Sequence, residues 1–457
     1  TDTRFDGTNA DAKMLTTGLN LKKFSLNGML YRDRGRLEMQ RGVTVLGVLD
    51  NSKWYYDPLI TTVISSNMTM EWTKNQITLA SIFYTKYDQT ERDESFADTT
   101  PVNKRHFVEK TNGCSVRHNA RFFSNTPFST LFQPSFQITN STGFGPNTNQ
   151  SYNDWTTSVL GWSASVEQSL FNVASINAGY RWDRKHIDTS ATSALKVSAN
   201  NDQNLAPAQV VTAGGEWHIK DMLILNASYY YGYEGTAGDF DIKTKAGTPL
   251  DPDKQQRVEV ALKCNWKKYL QPTFTVFNVD VKNQKSATTD TYKVDGYTYY
   301  YYTQSDALRR GIELLMEGEI PVSGTKYGAS WTHMTKNQTT ASNGTVTNAL
   351  GLSSPNNFFT VTLNQAVCNY LMVNVSLKRV DPWTSSTSAM GTAYNVNLGD
   401  YTTLDANIMK DIMFDNHKIT AKLYGRNLTN EKYATRYTTG YYYVRGITIG
   451  TDLTLSL

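Results

Sequence analysis

The sequence predicts an all-β fold, a transmembrane antiparallel β-barrel of about 20 to 22 strands. Three observations lead there. From about residue 207 to the C-terminus, stretches of roughly ten residues alternate apolar and polar side chains. Those stretches are separated alternately by a very short turn and a long polar loop. And no run of 18 or more apolar residues occurs, which excludes membrane helices and leaves a closed barrel as the way to cross lipid with every backbone group satisfied.

Along the chain, short turns are expected near Asn20-Leu21, Thr73-Asn75, Ser124-Pro127, Phe171-Asn172, Lys220-Asp221, Lys267-Tyr269, Pro321-Gly324, Cys368-Asn369 and Phe414-Asn416. These mark the periplasmic ends. Between them the long extracellular loops are expected at 32–58, 89–109, 142–156, 188–206, 235–254, 286–305, 338–356, 383–399 and 429–442, all rich in Thr, Asn, Ser, Asp and Gly. The hairpins and a closing strand from about 443 to 457 give about 19 strands, and a segment such as 40–50 can add more. The clearest strand, 222–233, puts Leu223, Leu225, Ala227, Tyr229, Tyr231 and Tyr233 on one face, aliphatic residues giving way to tyrosines toward the loop. That face suits hydrocarbon ending in an interfacial aromatic girdle. Leu371, Val373, Val375 and Leu377 repeat it, as do Ile419, Ala421 and Leu423, and the run Ile447, Ile449, Leu453, Leu455 and Leu457. A soluble propeller would show an internal repeat every ~40 to 50 residues, and none is found.

Composition fits a thin wall that is wet on one side. Hydrophobic residues reach 39%, aromatic residues 12% with 28 Tyr, and the mean hydropathy is −0.48. No linker or charge block divides the 457 residues, so one barrel domain is expected over 1–457. No secretory signal stands at Thr1, and the chain is read as mature or truncated. The net charge of +4 is spread along the chain, which gives nucleic acid no concentrated basic patch. Cys114, Cys264 and Cys368 are far apart and odd in number, so they form no disulfide framework. The six His show no metal-ligand spacing. No nucleophile elbow, phosphate-cradling Gly loop or distinct carboxylate pair occurs, so neither enzyme, metal site nor cofactor is expected.

The C-terminal third resembles the barrel of TonB-dependent outer-membrane receptors. Tyr424-Gly425-Arg426-Asn427-Leu428-Thr429-Asn430-Glu431-Lys432-Tyr433 is similar to that family's penultimate strand and its N-L-x-(D/N)-x-x-Y turn-off. Weaker likenesses occur in order: Gly179-Tyr180-Arg181-Trp182-Asp183, Ala206-Pro207, Leu250-Asp251-Pro252-Asp253-Lys254 with Glu259, and Arg310-Gly311-Ile312-Glu313. The family's Gly-Arg near the last strand is reversed here as Arg445-Gly446, and Leu457 stands where such proteins usually end in Phe. The resemblance implies a bacterial outer-membrane location among lipid and lipopolysaccharide. It implies a plug domain, here on a preceding or separate segment since nothing before Lys13 is long enough, and a TonB complex acting through that plug. It implies uptake of a scarce metal chelate such as a ferric siderophore. The competing expectation is a plug-less barrel, either a passive pore or a sheath holding another protein such as a cytochrome.

Two residue sets follow. Glu313, Glu317, Lys378, Asp405 and Lys422 fall on the polar face of alternating strands, where they fit equally a seat for a plug and a solvated inner wall. For ligand capture in the extracellular loops, the densest stretch is Tyr297, Tyr299, Tyr300, Tyr301 and Tyr302 with Arg309 and Arg310 beyond it. Trp54, Tyr55, Trp383, Arg436 and Tyr442 extend the set. Tyrosine offers flat contact area with a hydroxyl, and arginine suits carboxylates and anionic chelates. An interfacial girdle would use the same aromatics.

Overall fold

The computed structural model describes residues 9–38, 41–50, 52–95, 101–146, 152–171, 173–189, 202–204, 207–220, 222–233, 244–246, 250–294, 297–352, 354–368, 371–389, 392–414, 417–437 and 440–456. In order the strands are β1 (Asn9–Leu21), β2 (Phe24–Glu38), β3 (Ser52–Thr73), β4 (Gln76–Ser95), β5 (Pro101–Phe122), β6 (Thr130–Pro146), β7 (Tyr152–Leu170) and β8 (Ala174–Thr189). There follow β9 (Asp202–Asn204), β10 (Ala208–Lys220), β11 (Leu223–Tyr233), β12 (Lys254–Cys264), β13 (Gln271–Val294), β14 (Tyr297–Ile320), β15 (Thr325–Ala341), β16 (Val346–Asn348) and β17 (Asn357–Cys368). The last are β18 (Leu371–Val380), β19 (Trp383–Ala389), β20 (Thr392–Leu398), β21 (Tyr401–Phe414), β22 (His417–Arg426), β23 (Ala434–Tyr437), β24 (Tyr441–Tyr443) and β25 (Thr448–Ser456).

One sheet of 21 strands contains all of these except the separate hairpins β19–β20 and β23–β24. Every recorded strand pairing is antiparallel between chain neighbours, with β8–β10, β15–β17, β18–β21 and β22–β25 closing over the shorter pieces. This agrees with the expected strand number. β1 pairs only with β2 and β25 only with β22 among the described residues. The sheet nonetheless curls. The segment after β2 meets the segment before β25 in an antiparallel bridge, Val43 N–H to Tyr441 O at 2.9 Å and Tyr441 N–H to Val43 O at 2.6 Å. In a flat sheet these segments would be separated by nearly its whole width, at roughly 4.8 Å per strand.

Register fixes which face is which. Across β11 to β14, Leu225 lies opposite Leu262, Leu262 opposite Phe274 and Phe274 opposite Leu314. Leu262, Phe274, Val260 and Val276 are all large apolar side chains left exposed, as are Leu15, Ile82, Val116, Phe136, Trp162, Ile408, Leu423 and Leu453 on the same outward face. A continuous exposed apolar surface of this kind is a lipid belt. The opposite face is hydrogen-bonded and polar: Ser81 to Ser115 at 2.7 Å, Gln133 Nε2 to Asn119 Oδ1 at 2.9 Å, Ser135 to Ser163 at 2.7 Å, Asn374 Nδ2 to Asn407 Oδ1 at 2.8 Å. That face lines the bore.

The turns expected at Thr73-Asn75, Ser124-Pro127, Lys267-Tyr269 and Pro321-Gly324 lie at the junctions between strands, whereas the first falls at Lys22-Lys23 rather than Asn20-Leu21; Asn172, Asp221, Asn369, Asp415 and Asn416, in the other four expected turns, lie outside the described residues. The loops differ more. The segments expected as loops at 32–58, 89–109 and 286–305 are largely strand, because β3 to β5, β13 and β14 run 20 to 24 residues, about twice what a membrane crossing requires. Past the lipid both faces are wet, so the ladder continues while apolar alternation stops. The segment 40–50 adds no strand; it holds only the bridges of Val43. The expected loops 188–206 and 235–254, and Leu457, lie largely or wholly outside the described residues.

The wall buries only scattered side chains such as Ala120, Ile187, Ile224 and Ala307, and the most deeply buried group sits elsewhere. It lies at the long-loop end, where Val380, Val396, Leu398, Tyr401 and Ala434 are buried and Val396 is 0% exposed. Gly399 N–H to Ala434 O (3.0 Å) joins the β19–β20 hairpin to β23, and Thr384 N–H to Gly351 O (2.9 Å) joins it to the segment before β17.

Candidate functional site

The long-loop end brings cations and phenols together in three groups. The first is built on the ends of β3 and β4. Tyr55 is buried, donates to Glu94 and lies under the Arg36 guanidinium, 4.4 Å from ring centroid to Cζ. Burial, reinforced by the Glu94 carboxylate, raises the Tyr55 phenol above its ordinary range. Alternation along β4 puts Tyr55 with Arg92 and Glu94 on the outward side, and Trp54 with Tyr56 on the bore side, their rings 6.1 Å apart. Trp54 and Tyr55 are strand residues, not loop residues.

The second group lies on β12 to β15. Arg257 and Arg309 both stand opposite Val279, so two guanidinium groups share one bore-side row, and Arg309 faces Asn337 on its other side. Arg257 is paired to Glu259. Arg310 points outward and donates to Asn278 Oδ1 at 2.6 Å. The tyrosine run begins β14 as strand, with Tyr297, Tyr299, Tyr300 and Tyr302 opposite Val294, Tyr292, Thr291 and Ala287. The Tyr301 and Tyr292 rings lie 4.8 Å apart, tilted by 42°. The side chains of Tyr297, Tyr299 and Tyr300 lie outside the described residues.

The third group is the densest. Tyr401 stacks on Tyr433 with centroids 3.7 Å apart, and Lys378 Nζ sits 5.8 Å from the Tyr401 ring. Asp405, expected on the polar face, accepts the backbone N–H of Asn427 at 2.7 Å and so holds the turn that carries Tyr433. Arg436 lies over Tyr442 at 5.7 Å and Lys432 over Tyr443 at 4.6 Å. Tyr441 contacts both Tyr437 and Tyr443. Burial raises the phenols of Tyr433 and Tyr441, which keeps them neutral donors at physiological pH. Trp383 packs its ring where a Cβ at Gly399 would sit, with Gly399 at φ +72°, so it braces the β19–β20 hairpin. Sequence reading missed Tyr401, Tyr433, Lys432 and Arg257, since pairs such as Tyr401 and Tyr433 meet only through long-range folding.

Glu313, Glu317 and Lys422 stand on the face opposite the apolar belt. Glu313 stands opposite Thr275 and Thr332, and Glu317 opposite Gln271 and Gly328. Lys422 Nζ is 3.8 Å from Asp452 Oδ2 and 5.6 Å from the Tyr424 ring. Among the described residues no group of three His, Cys, Asp or Glu is placed to hold a metal ion.

The family model described as TonB dependent receptor-like, beta-barrel matches residues 4–428. This chain belongs to that family. The receptor barrel is also similar in fold to the pyoverdine outer membrane receptor FpvA from Pseudomonas aeruginosa PAO1 bound to pyoverdine: TM-score 0.77, 14% identity, covering 98% of this chain and 70% of that one. The FpvAI–pyocin S2 complex matches with TM-score 0.76 and 12% identity over 98% of this chain. The ferric-catecholate import receptor Fiu from K12 E. coli, in a closed form, matches with TM-score 0.74 and 13% identity, covering 99% of this chain and 75% of Fiu. The receptor barrel spans 65% of the FpvAI chain, less than two thirds of it. No curated protein matches the sequence.

Proposed function

We propose that this chain is the barrel of a bacterial outer-membrane receptor that takes up a ferric siderophore or similar anionic metal chelate. Membership of the TonB-dependent receptor family supports it, and the tyrosine and cation clusters at the long-loop end carry it. Chelates of this class present carboxylates or phenolates around a metal. Arg309 in the bore-side row and Lys432, Arg436 and Lys378 beside phenol rings supply charge, flat contact area and hydroxyl donors without bonding to the metal itself. The bore is too wide for side chains to fill. Its Glu313, Glu317 and Lys422 are read as the seat of a plug, on this or a separate chain, through which the TonB complex drives release inward. No covalent step is required of the wall.

The test is titration of the purified full-length receptor with ferric citrate, a ferric catecholate and a ferric hydroxamate, read by quenching of tryptophan fluorescence. At least one should bind in the micromolar range or tighter, and Arg436→Gln with Lys432→Gln should weaken it about tenfold, about 1.4 kcal/mol. Absence of binding by all three, with strong single-channel conductance in planar bilayers, would instead identify an open pore.

A further inference from the structure

We propose that the bore wall of β3 to β6 carries a second, lower subsite, in which Arg117 takes a free carboxylate of the transported chelate on its way from the rim to the short-turn end. This rests on the uptake reading and deepens it, by naming a place of passage and the ligand group held there.

Two adjoining hollows are cut into this side of the bore. One of about 360 Å³ is lined by Asn67, Ser81, Ser115, Arg117, Ser135 and Gln137, and one of about 350 Å³ by Gly18, Asn27 and again Asn67. Strand register sets these residues in two rows. Gly18, Asn27, Asn67, Ser81, Ser115 and Gln137 stand opposite one another in turn across β1 to β6. Thr69, Leu79, Arg117 and Ser135 form the next row toward the short turns. Between the two rows run Ala80, Val116 and Phe136, which by alternation point outward, and Val116 and Phe136 are exposed members of the lipid belt. The hollows are therefore on the bore face at the depth of the hydrocarbon, below the rim clusters.

Among the described residues of these two rows on β1 to β6, Arg117 is the one charged side chain, and it is exposed and forms no ion pair or side-chain hydrogen bond. Its row continues through Ser163 to Arg181, but that guanidinium is already held by Asp183 at 2.6 and 2.9 Å. Arg121, two rows nearer the short turns, is turned to Ser129 at 3.1 Å. The nearest bore-side carboxylates on β3 to β7 are off the rows: by register Glu71 lies one row, and Glu167 two rows, nearer the short turns. Arg117 thus faces the bore with its charge uncompensated.

The groups around it suit an oxygen-rich anion. Ser81 and Ser115 share one hydrogen bond at 2.7 Å, as do Ser135 and Ser163, so each pair keeps one hydroxyl proton to donate. Adjacent strands are about 4.8 Å apart and like-facing residues along a strand about 7 Å, which brings Ser115, Ser135 and Gln137 within reach of a carboxylate seated on Arg117. The planar guanidinium matches such a carboxylate with two parallel N–H donors. The hollow has no phenol or indole, unlike the rim, so a ligand leaves flat aromatic contacts above for a single fork and a set of amides and hydroxyls below. One cation holds an anion less firmly than the rim clusters do, and passage requires a site that fills and empties.

The experiment measures radioiron uptake by cells expressing the full-length receptor, from ferric citrate, whose ligand carries carboxylates, and from a ferric catecholate that carries none, with binding of each to energy-depleted cells as the second readout. Arg117→Gln should slow ferric citrate uptake about fivefold, while its binding and the catecholate uptake change by less than about twofold. Arg117→Lys, which keeps the charge, should restore most of the citrate rate. Unchanged citrate uptake in Arg117→Gln would overturn the proposal, and so would equal loss for both chelates, which marks a disturbed wall instead of a ligand contact. Should the wild type take up neither chelate, the uptake reading fails by itself, and phenylglyoxal modification of the purified full-length receptor decides the subsite. Millimolar citrate should then protect Arg117 about fivefold better than the same concentration of glycerol, and absence of protection would overturn it.

Discussion

Asn427 opens the turn that carries Tyr433 to its partner Tyr401, and its replacement has a cost that can be worked out bond by bond. The residue is 5% exposed and sits at φ +50°. Its Nδ2 donates to Glu431 O at 2.9 Å and to Arg445 O at 3.0 Å, and its Oδ1 accepts from Glu431 N–H at 3.0 Å. One amide therefore satisfies three backbone groups from two ends of the loop. Asn427→Ala removes all three at about 1 kcal/mol each. It also places a residue without local hydrogen-bonding capacity in the left-handed region, for about 1 kcal/mol more. The sum is about 4 kcal/mol of local stability. Asn427→Gly keeps the backbone conformation at no steric cost and should lose about 3 kcal/mol. Native-state hydrogen exchange of the Glu431 amide reads this directly, with protection falling by about 100-fold in the glycine variant and further in the alanine variant. The reasoning fails if alanine is tolerated within 1 kcal/mol, or if glycine proves the worse of the two.

Other predictions test the wall, the rim and the ionisable groups. Val276→Arg faces lipid between Val260 and Ile312 and should cost about 2 to 4 kcal/mol in refolding into vesicles. Its neighbour Thr275→Arg, opposite Glu313 in the bore, should cost under about 1 kcal/mol; equal costs would contradict the assignment of faces. A Cβ at Gly440 would lie 2.7 Å from Val43 N and 2.8 Å from the Gly42 carbonyl carbon, so Gly440→Ala should break the Val43–Tyr441 bridge. Limited proteolysis would then cut within 41–50, and unchanged protection would count against the bridge as a clasp. Tyr55 has a folded pKa above its unfolded value, so its contact with Glu94 stabilises the rim fully below pH about 10 and is lost as pH rises through the raised pKa. Phenolate absorbance should place Tyr55 later in alkaline titration than exposed tyrosines, and Glu94→Gln should bring it earlier; no change on that substitution would refute the pairing.

What was legible in the sequence divides along the membrane. Turns such as Ser124-Pro127 and Pro321-Gly324 stood out because each is flanked by strands with lipid on one side and water on the other, which writes alternation into the residues. The extensions of β4 and β5 past Asp88, and of β13 and β14 to Val294 and Tyr297, carry no such contrast and read as loops. The first turn was misplaced because Gly18 and Asn20 look like turn residues while Lys22-Lys23 do not. At the rim, Arg436 and Tyr442 were legible as residue types, and the structure brings them together. The stack of Tyr401 on Tyr433 was not, since neither residue's local pattern records a contact made across the fold. Asp405 was read only as a polar-face residue, and its bond to the Asn427 backbone, which makes it a support of the rim, left no mark in the local pattern.

The location of the core bears on how such a wall can serve capture. Along the barrel, outward side chains meet lipid and inward ones meet water, so order comes from backbone ladders rather than from packing. Among the described residues hairpins fold over one another at the long-loop end, and there Val380 and Val396 are almost wholly buried. The tyrosines and cations that could meet a chelate are mounted on that packed region: Tyr401 begins β21 beside Val380, and Tyr433 adjoins Ala434. Loops held in this way lose little further freedom on binding, which lowers the ordering cost that a flexible loop would impose. The wall therefore sets the width of the passage, while the small core above it fixes the geometry of recognition, and substitutions in the two regions should separate into losses of insertion and losses of affinity.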